Sequence, residues 1–218
     1  MRGRSRSLVV GGCRSCLIAV VSILAASTPV WAHHQPPHEG PNIGVAIPAI
    51  THGEMLVVAK YRAEILDLAA RRPRTDPILR RLAGFVSLQY FACFWGLIPG
   101  SLTDETSPFN ECSHAYVAGT RALLAHMAAM PGDQYPARDL ETRIEAEIAG
   151  DPAYSALCSN SSEAFDSGFV IGPDWQLASV HLPTILSFLA LVVIAAIGVC
   201  VRLRRSSGTP RRPSSNVG

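Results

Sequence analysis

Hydrophobic residues in the middle of the chain recur every three or four positions, in blocks separated by Pro and Gly. This spacing places them on one face of an α-helix. The first predicted helix begins at a capping box, in which Thr51 and Glu54 satisfy each other's backbone donors, and continues to about residue 71. The second begins at Asp76, an N-cap residue followed by proline, and continues to about residue 97. The pattern predicts two consecutive helices joined by a short turn.

Two further helices show similar start and stop signals. One covers residues 107–130, a polar one covers residues 137–149, and a shorter turn covers residues 152–158. No stretch alternates between apolar and polar residues for long, so strands are not expected. The predicted fold class is therefore all-α, a small bundle of about four helices. Residues 85–98 are apolar nearly all round, which predicts the central buried helix there. The polar helix pairs opposite charges four residues apart: Asp139 with Arg143, and Arg143 with Glu147.

Each end of the chain carries a different kind of apolar run. Residues 17–26 are short and mostly apolar and follow a basic segment, and a small-residue pattern ends at Ala32, as in a secretory signal peptide cleaved after that residue. An uncleaved signal anchor is the alternative. Residues 182–201 are 20 residues without a charge, about 30 Å as a helix, which is the hydrocarbon thickness of a bilayer. The sequence thus predicts a signal peptide over residues 1–32 and one C-terminal transmembrane helix.

The arginines predict the orientation of this span. Arg202, Arg204 and Arg205 follow it at once and keep the tail, residues 202–218, in the cytoplasm. We expect a single-pass protein of the inner (plasma) membrane whose N-terminal part is exported, into the periplasm if the cell is bacterial. The exported part divides into an extended His/Pro-rich lead-in over residues 33–50, a helical domain over residues 51–158 and a tether over residues 159–181.

The formal net charge of +2 is the sum of two opposite contributions. Residues 33–181 contain ten basic residues and all 17 acidic ones, a net charge of −7, whereas the leader and the tail carry the other nine arginines. A nucleic-acid-binding domain needs a basic surface, so nucleic acid is not an expected partner. The composition, 48% hydrophobic and 17% charged, also excludes a disordered chain.

Three cysteines lie outside the leader and the span: Cys93, Cys112 and Cys158. Two antiparallel helices joined by a short loop place Cys93 and Cys112 at about the same height. Because export favours oxidation, we expect a Cys93–Cys112 disulfide. The alternative is that both are small buried hydrophobic residues. Cys158 is then free, or is the true partner of one of them.

The predicted mature N-terminus is rich in histidine. A free α-amine, with a pKa of about 7.7–8.0, can chelate one metal ion together with the imidazole of His33. The nitrogens of His34, His38 and His52 would complete a ligand set that suits Cu(II) best and Ni(II) or Zn(II) next. The alternative is a solvated, polar terminus. The four histidines therefore form a candidate copper site.

The loop between the second and third helices concentrates acidic residues. Asp104, Glu105 and Glu111 lie near its tip, with His114 one turn further, and together they are candidates to hold a cation or to dock a basic partner. The alternative is an acidic helix N-terminus favoured by the helix dipole. Glu111 and His114 also have the spacing of a di-iron motif, but a di-iron site needs a second copy, which the chain lacks. The apolar stripe of this helix is expected to leave Glu111, His114 and Arg121 on its wetter flank.

No hydrolase elbow, phosphate loop, dinucleotide fingerprint, haem motif or zinc pair occurs in the exported part, so no catalytic residue is proposed. The first functional hypothesis is a non-enzymatic, membrane-anchored module that acts by contact with a protein partner in the cell envelope. The alternative is a periplasmic copper-binding protein that uses His33. An enzyme on the acidic loop ranks below both.

The cleavage site gives the first testable prediction. Mass spectrometry of the purified full chain is expected to find His33 as the N-terminal residue, because the small-residue pattern ends at Ala32. A chain that begins at any other residue would remove the α-amine chelate.

Overall fold

The structure is a computed structural model, and it describes residues 44–72, 76–132, 134–150 and 163–206. Within these ranges the chain is mostly helical, with six helices and one small antiparallel sheet. The helices are α1 (His52–Ala70), α2 (Pro77–Ala92), α3 (Asn110–Ala129), α4 (Tyr135–Gly150), α5 (Trp175–Ala178) and α6 (Leu182–Ser206). The strands are β1 (Ala46–Ile47) and β2 (Phe165–Asp166). The mainly helical character that the sequence predicts is therefore confirmed, and the sheet was not predicted.

The first two helices begin where their capping residues predict. Thr51 Oγ1 accepts a hydrogen bond from the Glu54 N–H at 3.1 Å, and Asp76 Oδ1 accepts one from the Leu79 N–H at 2.7 Å. The end of α2 was predicted wrongly, because it lies at Ala92 and not near residue 97. Phe94 and Gly96 adopt left-handed backbone angles, with φ of 48° and 82°, and this conformation cannot continue a right-handed helix.

The central helix of the bundle is α3, and the prediction of a central helix over residues 85–98 is wrong. Fourteen of the twenty residues of α3 are buried, and it packs against α1, α2 and α4. In α2 only five of sixteen residues are buried. The apolar side chains on both sides of α2 misled the prediction, because one side packs on α3 and the other is exposed.

A close helix contact fixes α2 against α3. A Cβ atom added to Gly119 of α3 would lie 2.7 Å from Cε1 of Phe85, whose ring is buried between the two helices. Only a residue without a side chain allows this approach. Gly84 on the outer side of α2 is different, since a Cβ there meets no atom within 4 Å.

Residues 163–184, which we call the return segment, pack back on the bundle instead of forming the irregular tether predicted over residues 159–181. Strand β2 pairs with β1, with Ile47 opposite Phe165, and both strands contact α3. The Ser167 N–H donates to the Val45 carbonyl at 3.0 Å, and Ser167 Oγ accepts from the Val45 N–H at 2.7 Å. The end of the lead-in and the return segment thus hold each other.

Helix α6 contains the apolar run at the end of the chain. Residues Leu182–Arg202 form 21 residues of helix, long and apolar enough to cross a membrane. The chain divides into two compact units, and α6 begins in the unit of residues 32–184 and continues in the other. The predicted signal peptide, most of the predicted lead-in, the turn at 152–158 and residues 207–218 of the tail lie outside the described residues.

The two glycines give a matched test of the α2–α3 packing. Gly119→Ala is expected to lower the free energy of unfolding by about 1–3 kcal/mol, because the new methyl group overlaps the Phe85 ring. Gly84→Ala, in open space on a helix, is expected to raise it by about 0.5–1 kcal/mol. Urea unfolding of the full chain in mild detergent, followed by circular dichroism, measures both. Equal effects of the two substitutions would contradict the close contact.

Candidate functional site

The side-chain amide of Gln89 connects the bundle with the return segment. Its Nε2 donates to the Ile171 carbonyl at 2.7 Å, and its Oε1 accepts from the Ile171 N–H at 3.0 Å. Nε2 also lies 3.2 Å from the Cys112 carbonyl and 3.1 Å from Cys93 Sγ. The side chain is fully buried, so every one of these partners matters for its solvation. The Gln89 side chain therefore forms with the backbone of Ile171 the pair of hydrogen bonds that a neighbouring β-strand would form.

The same place holds the two cysteines for which the sequence predicts a disulfide. Cys93 and Cys112 are both buried, and both are free thiols in the structure. Burial raises the pKa of the Cys112 thiol, and a hydrogen bond with the thiol of Cys93 raises it further. The two cysteines thus lie at the same end of the α2–α3 hairpin, where Gln89 Nε2 contacts both Cys93 Sγ and the Cys112 carbonyl. Their oxidation to a disulfide stays a prediction, and Cys158 lies outside the described residues.

Three aromatic rings pack together beside the cysteines. The centroid of the Trp175 ring lies 5.9 Å from that of Phe109 and 6.3 Å from that of Phe94, and the two phenylalanines are 6.1 Å apart. The Asp174 N–H donates to the Pro108 carbonyl at 2.8 Å, just before the tryptophan. Edge-to-face contacts of this kind add to the energy of burial. They hold α5 on the loop between α2 and α3.

Asp104 of the acidic loop also binds the return segment. Its Oδ2 lies 3.0 Å from His181 Nε2, and His181 Nδ1 lies 2.8 Å from Thr184 Oγ1. Hydrogen bonds from Thr106 and then from His181 lower the pKa of the Asp104 carboxyl group. This carboxylate is therefore used within the protein, in an arrangement that the sequence did not reveal because His181 is 77 residues away.

The other predicted residues of the acidic loop differ in burial. His114 is only 1% exposed, and its Nε2 lies 3.3 Å from the Leu102 carbonyl, so its prediction on the wetter flank is wrong. The reason is that α3 is the central helix and its flanks are covered. Glu105 and Glu111 are exposed. The Asn110 side chain, which no sequence motif marked, donates to the carbonyls of Ser101 and Leu102 at 3.2 Å each.

Arg121 joins three helices, an arrangement that the sequence did not predict. Its side chain is 15% exposed and lies within hydrogen-bond distance of Glu54, Glu141 and Glu145, which joins α1, α3 and α4. Burial opposes its charge, but hydrogen bonds to Glu141 and Glu54 outweigh this and raise its pKa. The predicted pair of Asp139 and Arg143 is confirmed at 3.3 Å. Glu147, predicted as a partner of Arg143, binds Lys60 at 2.8 Å and accepts a hydrogen bond from Tyr61 at 2.9 Å.

One member of the predicted copper set lies in the described part of the chain. His52 begins α1, and its ring meets that of His114 edge to face, with 5.6 Å between the centroids. The Nδ1 atom of His52 is buried and has no hydrogen-bond partner among the described residues. These residues contain no cluster of three or more metal-ligating side chains. His33, His34 and His38 lie outside the described residues.

The outer face of α2 carries exposed apolar side chains. Leu88 is 59% exposed and Phe91 72%, and the two lie three residues apart on the same face of the helix. Gly84 lies on this face one turn before Leu88 and leaves that part of the helix surface flat. We call Gly84, Leu88 and Phe91 the α2 face. In the sequence, this face is part of the run that is apolar nearly all round the helix, from which burial was predicted.

No family model, curated protein or solved structure matches this chain. Its function therefore has to follow from the α2 face, the packed hairpin end and the candidate span.

The buried amide gives a prediction of its own. Gln89→Leu is expected to lower the free energy of unfolding by about 2–4 kcal/mol, because it leaves the N–H and carbonyl of Ile171 without partners. Gln176→Leu, at an exposed position of α5, is expected to change it by less than about 0.5 kcal/mol. Urea unfolding measures both, and limited proteolysis should cut the return segment faster in the first variant only. A Gln89→Leu protein as stable and as resistant as the control would refute this role.

Proposed function

We propose that this protein is a membrane-anchored, exported helical module that acts by contact with a protein partner in the cell envelope, and that it is not an enzyme. The observation that carries the proposal is the α2 face. Large apolar side chains that stay exposed together on one side of a helix are typical of a protein-binding surface. Phe91, the most exposed of them, is of the aromatic type that interfaces enrich.

The α2 face is built for rigid presentation. Its helix is held from behind by Leu82, Phe85 and Gln89, all of them buried, so the exposed side chains have a fixed backbone. A rigid surface loses little conformational entropy on binding. Gly84 allows a partner helix to approach the backbone of α2 closely. The expected partner therefore presents an apolar helix or sheet face that covers Leu88 and Phe91.

The candidate span supports the same proposal. A predominantly apolar helix of 21 residues would keep the bundle at the surface of one membrane, which restricts the search for a partner to two dimensions. Residues 33–181 carry a net charge of −7, but α2 itself has no acidic residue and exposes Arg80 and Arg81. A partner with acidic groups around an apolar centre would be complementary to this helix.

The α2 face gives a test with a matched control. The double substitution Leu88→Glu with Phe91→Glu is expected to reduce the recovery of the partner about 30-fold, since centrally buried interface residues contribute 2 kcal/mol or more. Tyr135→Glu, at a residue that is 80% exposed at the start of α4, should leave it unchanged. Affinity purification of the full chain from mild detergent, with quantitative mass spectrometry, measures the recovery.

Circular dichroism and thermal unfolding establish that all three proteins fold alike. The same set and amounts of co-purified proteins from the double variant and the wild type would overturn the proposal. Partner loss from the Tyr135→Glu variant as well would show that it does not bind through the α2 face.

The second candidate function is binding of copper through the predicted mature N-terminus. It is favoured by one observation, the buried Nδ1 of His52, which has no hydrogen-bond partner among the described residues and lies in a ring that contacts His114. An imidazole nitrogen without another partner is a good ligand for Cu(II). The α-amine and imidazole of His33, with His34 and His38, would supply the other nitrogens.

Titration with Cu(II) tests this function. The full chain in detergent is expected to bind one Cu(II) ion with a Kd below about 10 μM, and His52→Ala to weaken binding at least tenfold. His126→Ala is the control. His126 lies in the last turn of α3, and its Nε2 already has a partner, the Asp76 carboxylate, at 2.9 Å. Binding weaker than 10 μM in the wild type would rule this function out.

A further inference from the structure

We infer that the loop end of the α2–α3 hairpin rests on the lipid surface of the membrane, through exposed apolar side chains of the loop and the return segment. These side chains are Leu97, Trp175, Leu177 and Val180, and we call them the lipid-facing patch. The inference rests on the membrane anchor of the proposed function and on no other part of it. It gives the bundle an orientation on the membrane in place of a free position at the end of a tether.

The loop and the return segment form one body. Three independent contacts join them within the unit of residues 32–184: the Asp174 N–H on the Pro108 carbonyl, the Trp175 ring on Phe94 and Phe109, and His181 on Asp104. They bind the return segment before α5, within α5 and after α5. The loop therefore follows residues 174–184 wherever these lie.

The return segment leads directly into the candidate span. His181 directly precedes Leu182, the first residue of the apolar stretch that could cross a membrane. The Asp104 carboxylate lies 3.0 Å from the His181 ring, so the loop is within a side-chain length of the start of that stretch. Trp175 is seven residues earlier, at most about 25 Å away even along a fully extended chain. This closeness follows from the chain alone and holds for any direction that α6 takes.

The return segment has no charged side chain of Asp, Glu, Lys or Arg from Trp175 onwards. Residues 175–201 contain no Asp, Glu, Lys or Arg, so the uncharged stretch begins seven residues before the helix that could span the hydrocarbon. Val180 is 75% exposed, and Leu177 and Trp175 are exposed too. An indole that packs on Phe109 with one side and is exposed on the other fits the bilayer interface, where tryptophan is enriched. The matching occupant is therefore the headgroup and upper acyl region of a bilayer.

Photo-crosslinking of the full chain in lipid nanodiscs tests the inference. A benzophenone amino acid is placed at Leu97 in the loop, at Tyr135 or at Ile194, and lipid adducts are counted by mass spectrometry. Leu97 and Tyr135 are both exposed, but Tyr135 begins α4 after the far end of α3, so it is the matched control. Ile194, within α6, reports whether the helix is inserted. We expect at least five times more lipid adduct from Leu97 than from Tyr135, with strong labelling at Ile194.

Three other outcomes would each overturn the inference in a distinct way. Labelling at Ile194 without an excess at Leu97 would show that the anchor holds and the bundle stands away from the bilayer. A protein adduct in place of lipid at Leu97 would assign the patch to a protein partner. No lipid adduct at Ile194 would refute the anchor itself, and the inference with it. Failure of the proposed protein contact is a separate result. It would appear as unchanged partner recovery from the Leu88→Glu, Phe91→Glu variant and would leave the lipid adduct at Leu97 unchanged.

Discussion

The buried amide of Gln89 is the interaction on which the hairpin end depends. A primary amide removed from water must find partners for its oxygen and its N–H groups, and here most of them come from one backbone residue, Ile171, 82 positions away. This demand determines where the return segment passes. Once Ile171 is held there, Trp175 reaches the rings of Phe94 and Phe109, and His181 reaches Asp104. The hydrogen bonds of one buried side chain, Gln89, thus position the apolar and charged contacts around it.

The two helices of the hairpin differ in how much of their surface is buried. Helix α3 contributes buried residues on nearly every side and needs Gly119 to let α2 approach. Helix α2 uses one side for this contact and leaves Leu88 and Phe91 exposed on the other. Exposed apolar groups at one helix are tolerable when another surface covers them for part of the time. The proposed protein contact and the proposed lipid contact both follow from surfaces that the bundle itself does not cover.

Local signals predicted the local structure. The caps at Thr51 and Asp76 and the uncharged run of α6 depend on neighbours along the chain, and the structure has the helices where these signals place them. Cys93 and Cys112 are both buried at one end of the hairpin, and their pairing in a disulfide stays a prediction. His114 was predicted on the wetter flank of its helix but is buried, and α2 was predicted to be buried but is exposed on one side. Both depend on which helix is central, and that is a property of the whole packing arrangement.

By itself, the sequence determined that this is a mainly helical chain with an acidic middle, basic ends and one apolar C-terminal helix, because periodicity, capping and charge are properties of neighbouring residues. Only the tertiary structure decided that α3 is the core helix, that residues 163–184 fold back on the hairpin, and that Asp104 meets His181. Those contacts join residues up to 122 positions apart. They form because each buried surface packs against the partner in the whole fold that stabilises it most. Neighbouring residues in the sequence do not specify that partner.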